Sequence, residues 1–391
     1  MHQGGQNMDT FATEGLRNIL AAFSEQWTLS ATAASGPGKA LLLNATALLG
    51  LLSSITPSTK YPHNPPEAQR NANITLHQPN TPLAPSPLPP PGPSSQSEEI
   101  IRQFIELDRS TKWRLADKIP FSGDCHEPEG IVRLSNEGPA QDDRYFVSAG
   151  EWTVPRSPDK NGEGFAHLLV FDGTGRQLAD AVLTAPGAAE YHGGGLDYDG
   201  THLWVTLAEY RPVNATATLV RLRPDKLCPE PVLRIADHMG AVVHDIATGD
   251  VLTLNWGARS ASLWNLRYRP VPLPGFTPPR AVVKNPSHYT DYQDCKFLGR
   301  PQRYGFRSVM LCAGITGGVY GANTSIGGVA LVDMQTMVPL YELPLSMVSN
   351  GGNLVTKNPM DAAIVDGKLR FFFLPDEHNS TLYVYEPEGP G

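Results

Sequence analysis

Val243-His-Asp-Ile-Ala-Thr-Gly-Asp-Val-Leu-Thr-Leu254 sets the pattern from which the rest of the chain can be read. It holds an Asp, a short strand-like run, a turn signal at Thr248-Gly249-Asp250 and a second, strongly apolar strand. The same order recurs at Gly195-Leu196-Asp197-Tyr198, Tyr292-Gln293-Asp294-Cys295 and Pro359-Met360-Asp361-Ala362, with a degenerate copy at Gly130-Ile131-Val132-Arg133. Second strands follow at 144–148, 202–207, 308–312 and 369–374, and third strands at 168–171, 218–222, 262–266, 329–333 and 381–385. Outer fourth strands are expected at 177–183, 231–236, about 268–273 and 339–345. Asp197 and Asp245 lie 48 residues apart, Asp294 and Asp361 67, which brackets a propeller repeat of about 50.

The last unit stops after three strands, and Lys112–Ile119, just ahead of the first unit, supplies the missing fourth. A strand from the opposite terminus then closes the ring and removes the open edge. The expected fold is all-β, a five-bladed β-propeller over residues 99–391, six-bladed if the 274–290 loop holds further strands. Residues 1–56 form an N-terminal extension, with a weak amphipathic pattern at 10–27. Twelve prolines fall between Pro57 and Pro93. They make residues 57–98 read as an extended linker ahead of the propeller.

Composition narrows the partners. The chain has 391 residues and a formal net charge of −8, with no basic run, so nucleic acid is excluded as an expected partner. The apolar run Ala40–Leu52 is too short to span a bilayer but has the length of a signal-peptide core; so far from the first Met, a buried or interfacial helix is the other reading. Five N-x-[ST] sequons, at Asn44, Asn73, Asn214, Asn323 and Asn379, point to secretion. A secreted, glycosylated monomer with no membrane span is expected. The four cysteines, Cys125, Cys228, Cys295 and Cys312, show no zinc spacing. Cys295 and Cys312 fall on strands read as neighbours, so a cross-strand disulfide and a pair of inert buried thiols are both open.

In a propeller the start of strand one and the end of strand two share one end of the axis, so the chemistry is sought at those tips. Starts carry His126, Glu127, Glu129, His192, His238, His244, His288, Asp291, Gln293 and Asn358; ends carry Glu151-Trp152, Glu209-Tyr210-Arg211, Asn255-Trp256 and Arg259. The repeated Asp is more often structural than catalytic, holding backbone N–H groups of an adjacent turn. Imidazoles near an axis can bind an ion or move protons, or simply hydrogen-bond loop carbonyls. Glu151 and Glu209 each stand beside an aromatic residue, as in sugar sites, though aromatics also pack blades. Gly193-Gly-Gly195 lacks the Lys-Ser/Thr of a phosphate loop and more plausibly lets backbone approach the axis.

The motifs His126…Glu129-Gly130-Ile131, His192-Gly-Gly-Gly-Leu-Asp197, His238-Met-Gly-Ala-Val-Val-His-Asp245, Asn255-Trp-Gly257, Asp291-Tyr-Gln-Asp-Cys295 and Thr381-Leu-Tyr-Val-Tyr385 resemble a fungal and bacterial family of exported propeller-like proteins of unknown function. The resemblance spans about residues 113–388 and implies a propeller and export. The blade pattern is more distantly similar to lactonase-type propellers and five-bladed glycosidases.

The expectation is an exported hydrolase of a small sugar, lactone or glycoside. Glu151, Glu209 and His244 are its catalytic candidates. His126, Glu129, Arg211, Asn255, Trp256, Arg259 and Asp291 are those for substrate binding. One divalent cation such as calcium is expected on the axis, held by His126, His192, His244 and Gln293. The rival readings are a non-catalytic glycan-binding propeller and a tailoring enzyme of fungal secondary metabolism.

Overall fold

A computed structural model describes residues 73–136, 138–157, 160, 162–267, 275–316 and 325–388. The extension, the apolar run and the first part of the Pro-rich stretch lie outside the described residues. The first blade contains β3 (Glu127–Leu134), β4 (Arg144–Val154), β5 (Glu163–Asp172) and β6 (Gln177–Val182), with β1 (Asn73–Leu76) added antiparallel at its outer edge. Blade two is β7 (His192–Tyr198), β8 (Leu203–Ala208), β9 (Ala217–Leu222) and β10 (Glu230–Ile235). Blade three is β11 (Met239–Asp245), β12 (Asp250–Asn255), β13 (Ser260–Asn265) and β14 (Ala281–Lys284). Blade four is β15 (Asp291–Gly299), β16 (Val309–Ile315), β17 (Gly327–Asp333) and β18 (Pro339–Leu345). Blade five is β19 (Met360–Val365), β20 (Lys368–Phe373) and β21 (Thr381–Pro387), completed by β2 (Trp113–Pro120). The five-bladed ring and its closing strand match the sequence reading. The outer strand of blade three does not: it is β14, while 268–273 falls outside the described residues.

Side-chain alternation explains the unbroken apolar strands. Successive residues of a strand point to opposite faces, and here both faces meet another blade. Phe371 packs towards blade four and Phe372 towards blade one; Val251 faces blade two and Leu252 blade four. Five apolar clusters result, one filling each interface between blades. The Cys295–Cys312 pair is a disulfide between directly paired positions of β15 and β16, buried in the interface of blades three and four.

The repeated aspartates clasp the blades. Asp294 is fully buried and accepts the amides of Ile131 in blade one (3.2 Å), Leu196 in blade two (3.2 Å) and Met360 in blade five (3.4 Å). Lys296 Nζ donates to Asp294 Oδ2 and to the Leu196 carbonyl, both at 2.6 Å. Asp197 takes the amides of His244 and Phe297, and Asp361 that of Arg133. Asp245 instead holds Ser308 Oγ and the amides of its own turn, Ala247 and Thr248. These four residues are therefore not one level ring. Asp197 and Asp245 fall at or near the end of their inner strands, Asp294 and Asp361 near the start of theirs. The glycines beside His192 serve close approach: a Cβ on Gly195 would stand 2.8 Å from Asp294 Oδ1, and one on Gly194 2.7 Å from the Gly240 carbonyl.

The two ends of the ring differ. At the end where inner strands finish, the chain between residues 73 and 107 lies across the propeller. Pro89 O accepts the Tyr198 hydroxyl, Ser94 Oγ donates to Phe297 O, and Gln96 exchanges hydrogen bonds with Ile364. After the short turn α1 (Gly92–Ser95), helix α2 (Ser97–Phe104) buries Ile100, Ile101 and Phe104 between blades four and five. Residues 73–98, expected in a linker, are thus part of the propeller wall. Pro-rich backbone with few amide donors can still accept hydrogen bonds, and here it accepts several. This lower end is covered and the axis is filled by Asp294 and Lys296, so the upper end, where inner strands begin, is left for chemistry.

Candidate active site

Glu127 and Glu129 lie two residues apart on β3, across a bulge between Pro128 and Gly130. Bulges commonly re-aim side chains beside sites. Trp152 Nε1 donates to Glu127 Oε2 at 3.0 Å, the Tyr210 hydroxyl to Glu127 Oε1 at 3.4 Å, and His192 Nδ1 stands 3.9 Å away. Around them the rings of Trp152, Tyr210, His192, His238 and Trp256 touch in sequence, with centroids 4.4 to 5.9 Å apart. Trp152, Tyr210 and Trp256 keep part of their surface open, giving an aromatic wall over three blades. Arg156 lies over the Tyr210 ring at 4.2 Å.

Burial sets the protonation. The Glu129 carboxyl is pushed well above the usual carboxylate range, first by burial, then by the negative charges of Glu127 and Asp294. Glu127 is raised by burial and by Glu377, while its hydrogen bonds from Trp152 and Tyr210 pull the other way. Burial pushes His192 well below its ordinary pKa, and its buried Nδ1 has no hydrogen-bond partner among the described residues. An unpartnered buried nitrogen beside a carboxylate is where a ligand hydroxyl or a water fits. Asn358 Nδ2, at the same end ahead of β19, is likewise enclosed without a partner among the described residues. Beside blade five a polar hollow opens, lined by Asn350, Asn353, Lys357, Asp376 and Glu377. Lys357 and Glu377 pair at 2.8 Å and join it electrostatically to Glu129.

Of the residues singled out from sequence, Glu129, Trp256 and His192 reach this site. Glu209 is buried against Arg211 (2.6 Å) and Thr216, and its backbone carbonyl accepts His238 Nδ1 at 2.8 Å. Arg259 pairs with Asp291 at 2.8 Å and donates to the carbonyls of Gly257, Ser287 and Thr290, which ties loops together. Asn255 accepts the Ser260 amide, and Gln293 donates to the Asp291 carbonyl. Glu151 points outward to His167 on β5, and the His126 ring stacks on His167 with centroids 4.4 Å apart. His244 is at the other end of β11. Its partner across the sheet is Val251, its Nδ1 meets Asp199 at 3.0 Å, and its ring lies on Trp204. It lies five residue steps beyond Met239, about 16 Å along the strand. The four proposed axial ligands, His126, His192, His244 and Gln293, are therefore not brought together. Val243-His244-Asp245, which sequence places at the start of an inner strand, forms the end of β11.

Glu127, Trp152, Tyr210 and His238 complete the site. All four occur in the tip motifs, but sequence cannot say which of two adjacent tip residues turns to the axis. An all-β propeller with a paired-carboxyl, aromatic-walled site at the end where its inner strands begin is the class that fold and site define. The chain belongs to the family of unknown function DUF6454, which matches residues 89–388. No curated protein sequence matches it. Among solved structures it is similar to a hypothetical protein from Leishmania major at 11% identity and TM-score 0.41, covering 69% of this chain and 90% of that one. A mannose phosphorylase from Leishmania mexicana matches at 10% identity and TM-score 0.41, covering 74% and 93%. A glucose dehydrogenase matches at 12% and 0.36, covering 70% and 85%. No residue role is transferred from these structures.

Proposed function

We propose that this protein is an exported, monomeric hydrolase of a small polyhydroxylated molecule (a sugar, lactone or glycoside), with Glu129 as general acid and Glu127 as general base. The observation that carries the reading is the carboxyl pair on β3, the pKa of one member pushed well above the usual carboxylate range by burial and by the other's charge. A carboxylic acid kept neutral near pH 7 can donate a proton, and a neighbouring carboxylate can accept one. Glu129 gives its proton to the leaving oxygen as that carbon–oxygen bond breaks. Glu127 takes a proton from the water whose oxygen bonds to the same carbon, and exchange through water then resets the pair. His192 Nδ1 accepts a substrate hydroxyl, and Trp152, Tyr210 and Trp256 offer apolar faces to a ring. Glu127 and Glu129 here replace the Glu151 and Glu209 expected from sequence. Export is supported by the buried Cys295–Cys312 disulfide, which suits an oxidising compartment, and by the exposure of the sequon residues Asn73, Asn214 and Asn379.

A panel of chromogenic glycosides and lactones tests this with the full chain, Glu129→Gln and Glu127→Gln. Turnover should fall at least 100-fold in both variants while Glu129→Gln still binds ligand. Turnover unchanged in both would end the acid–base reading. Wild-type binding without turnover, lost in Glu127→Gln, would make the site a non-catalytic sugar-binding one.

A further inference from the structure

Three strands of blade one hold a second cluster of titratable side chains, distinct in its residues from the axial carboxyl pair. His167 on β5 and Asp180 on β6 are diagonal neighbours across the sheet, since His167 pairs with Val182 and Leu169 with Asp180. Glu151 on β4 is diagonal to His167 in the same way, because Ala149 is the direct partner of His167. His167 Nδ1 lies 2.8 Å from Asp180 Oδ1, and its Nε2 lies 3.2 Å from Glu151 Oε2. His126 closes the cluster from above blade one. Asp124 accepts its amide at 2.7 Å and His378 N donates to its carbonyl at 2.7 Å, which fixes the loop that carries it.

Ligand atoms of His126, His167 and Asp180 all lie within 4.8 Å of one another, the only such group among the described residues. We infer that these three side chains bind one divalent transition-metal ion of the zinc type, with Glu151 orienting His167 from outside. Two imidazoles and a carboxylate form a ligand set that suits zinc, manganese or iron(II) and is poor for calcium, which takes oxygen ligands. The ion takes the place of the hydrogen bond between His167 Nδ1 and Asp180. The Nε2–H then donates to Glu151, the outer carboxylate contact that metal-bound imidazoles generally carry. Charge balances as well: Asp180 and Glu151 together match a 2+ ion when both imidazoles are neutral. Access is open, because the side chains of His126 and Asp180 are 15% and 24% exposed while His167, at 5%, is held rigidly beneath them. Three protein ligands leave a coordination position for water.

The test is equilibrium dialysis of the chelator-stripped full chain against Zn²⁺, with bound metal measured and melting curves recorded for every variant. One equivalent should bind to the wild type and to Glu129→Gln, and millimolar Ca²⁺ should not displace it. His126→Ala and Asp180→Asn should each bind at least tenfold more weakly. Asp180→Asn keeps the shape of the side chain, so it reads out binding even if the alanine variant does not fold. Glu151→Gln should weaken binding about 10- to 100-fold. Substoichiometric wild-type binding, displacement by Ca²⁺, or unchanged affinity in Asp180→Asn would overturn the assignment. Because His126→Ala, Asp180→Asn and Glu151→Gln leave Glu127 and Glu129 in place, failure here leaves the hydrolase reading standing.

Discussion

Removing the Asp294 carboxylate should be the most damaging single change in the central core. In Asp294→Ala the Lys296 ammonium is left buried without its counter-ion, which costs about 3–5 kcal/mol in comparable cases. The amides of Ile131, Leu196 and Met360 lose their acceptor as well, at about 1 kcal/mol or more each. These costs overlap, so the expected loss is on the order of 5 kcal/mol, a large part of a typical native stability of about 5–15 kcal/mol. At roughly 2–4 °C per kcal/mol for a domain of this size, the melting temperature should fall by about 10–20 °C. Lys296→Met should cost less, because Asp294 keeps its three amide donors and can take up a proton. The double variant Asp294→Ala/Lys296→Met should be more stable than Asp294→Ala alone, since the stranded charge is gone. Urea unfolding followed by tryptophan fluorescence at fixed pH gives all three numbers. A loss under about 1 kcal/mol for Asp294→Ala, or a double variant worse than that single one, would refute the view that this pair clasps three blades.

Stability should be greatest near pH 4 and decline up to about pH 7. Burial raises Asp197 to about 7 and Asp294 to about 6, so the native state holds protons the unfolded chain has released, and that contribution is lost as pH rises from about 4 to 7. Asp199 and Glu386, both lowered to about 2, act at the acid side and lose their contribution below about pH 4. Melting temperature against pH for the wild type and Asp197→Asn checks this, the variant losing part of the decline. Glu129→Gln should melt higher than the wild type at pH 8 and equally at pH 4.5, because the amide needs no proton to be neutral in the folded state; equal curves at both would be against a protonated Glu129. Phe104→Ala should cost about 3–5 kcal/mol by opening a cavity between helix and blades, measurable by the same urea titration. Reducing the Cys295–Cys312 bridge after unfolding, or replacing both by alanine, should cost about 3 kcal/mol for its 17-residue separation.

The apolar second strands, the turn signals between them and the spare strand at 112–119 determined the blades, their number and their closure. This was legible because a strand buried on both faces must be apolar throughout, and a ring must leave no edge. The tips were legible as a set for the same topological reason. What each tip residue does was not. Register decided that His244 falls at the end of its strand, about 16 Å along it from Met239. A single bulge at 128–130 accompanies the turn of Glu127 and Glu129 to one site, and the outward face of β4 gives Glu151 to His167 instead. Likewise a Pro-rich stretch that sequence reads as extended is fixed by partners more than 100 residues away, among them Tyr198, Phe297 and Ile364. Local pattern follows from each strand's own alternation. The protonation of Glu129, the covering of the lower end and the choice between adjacent tips depend on charges and contacts that meet only when the ring has closed.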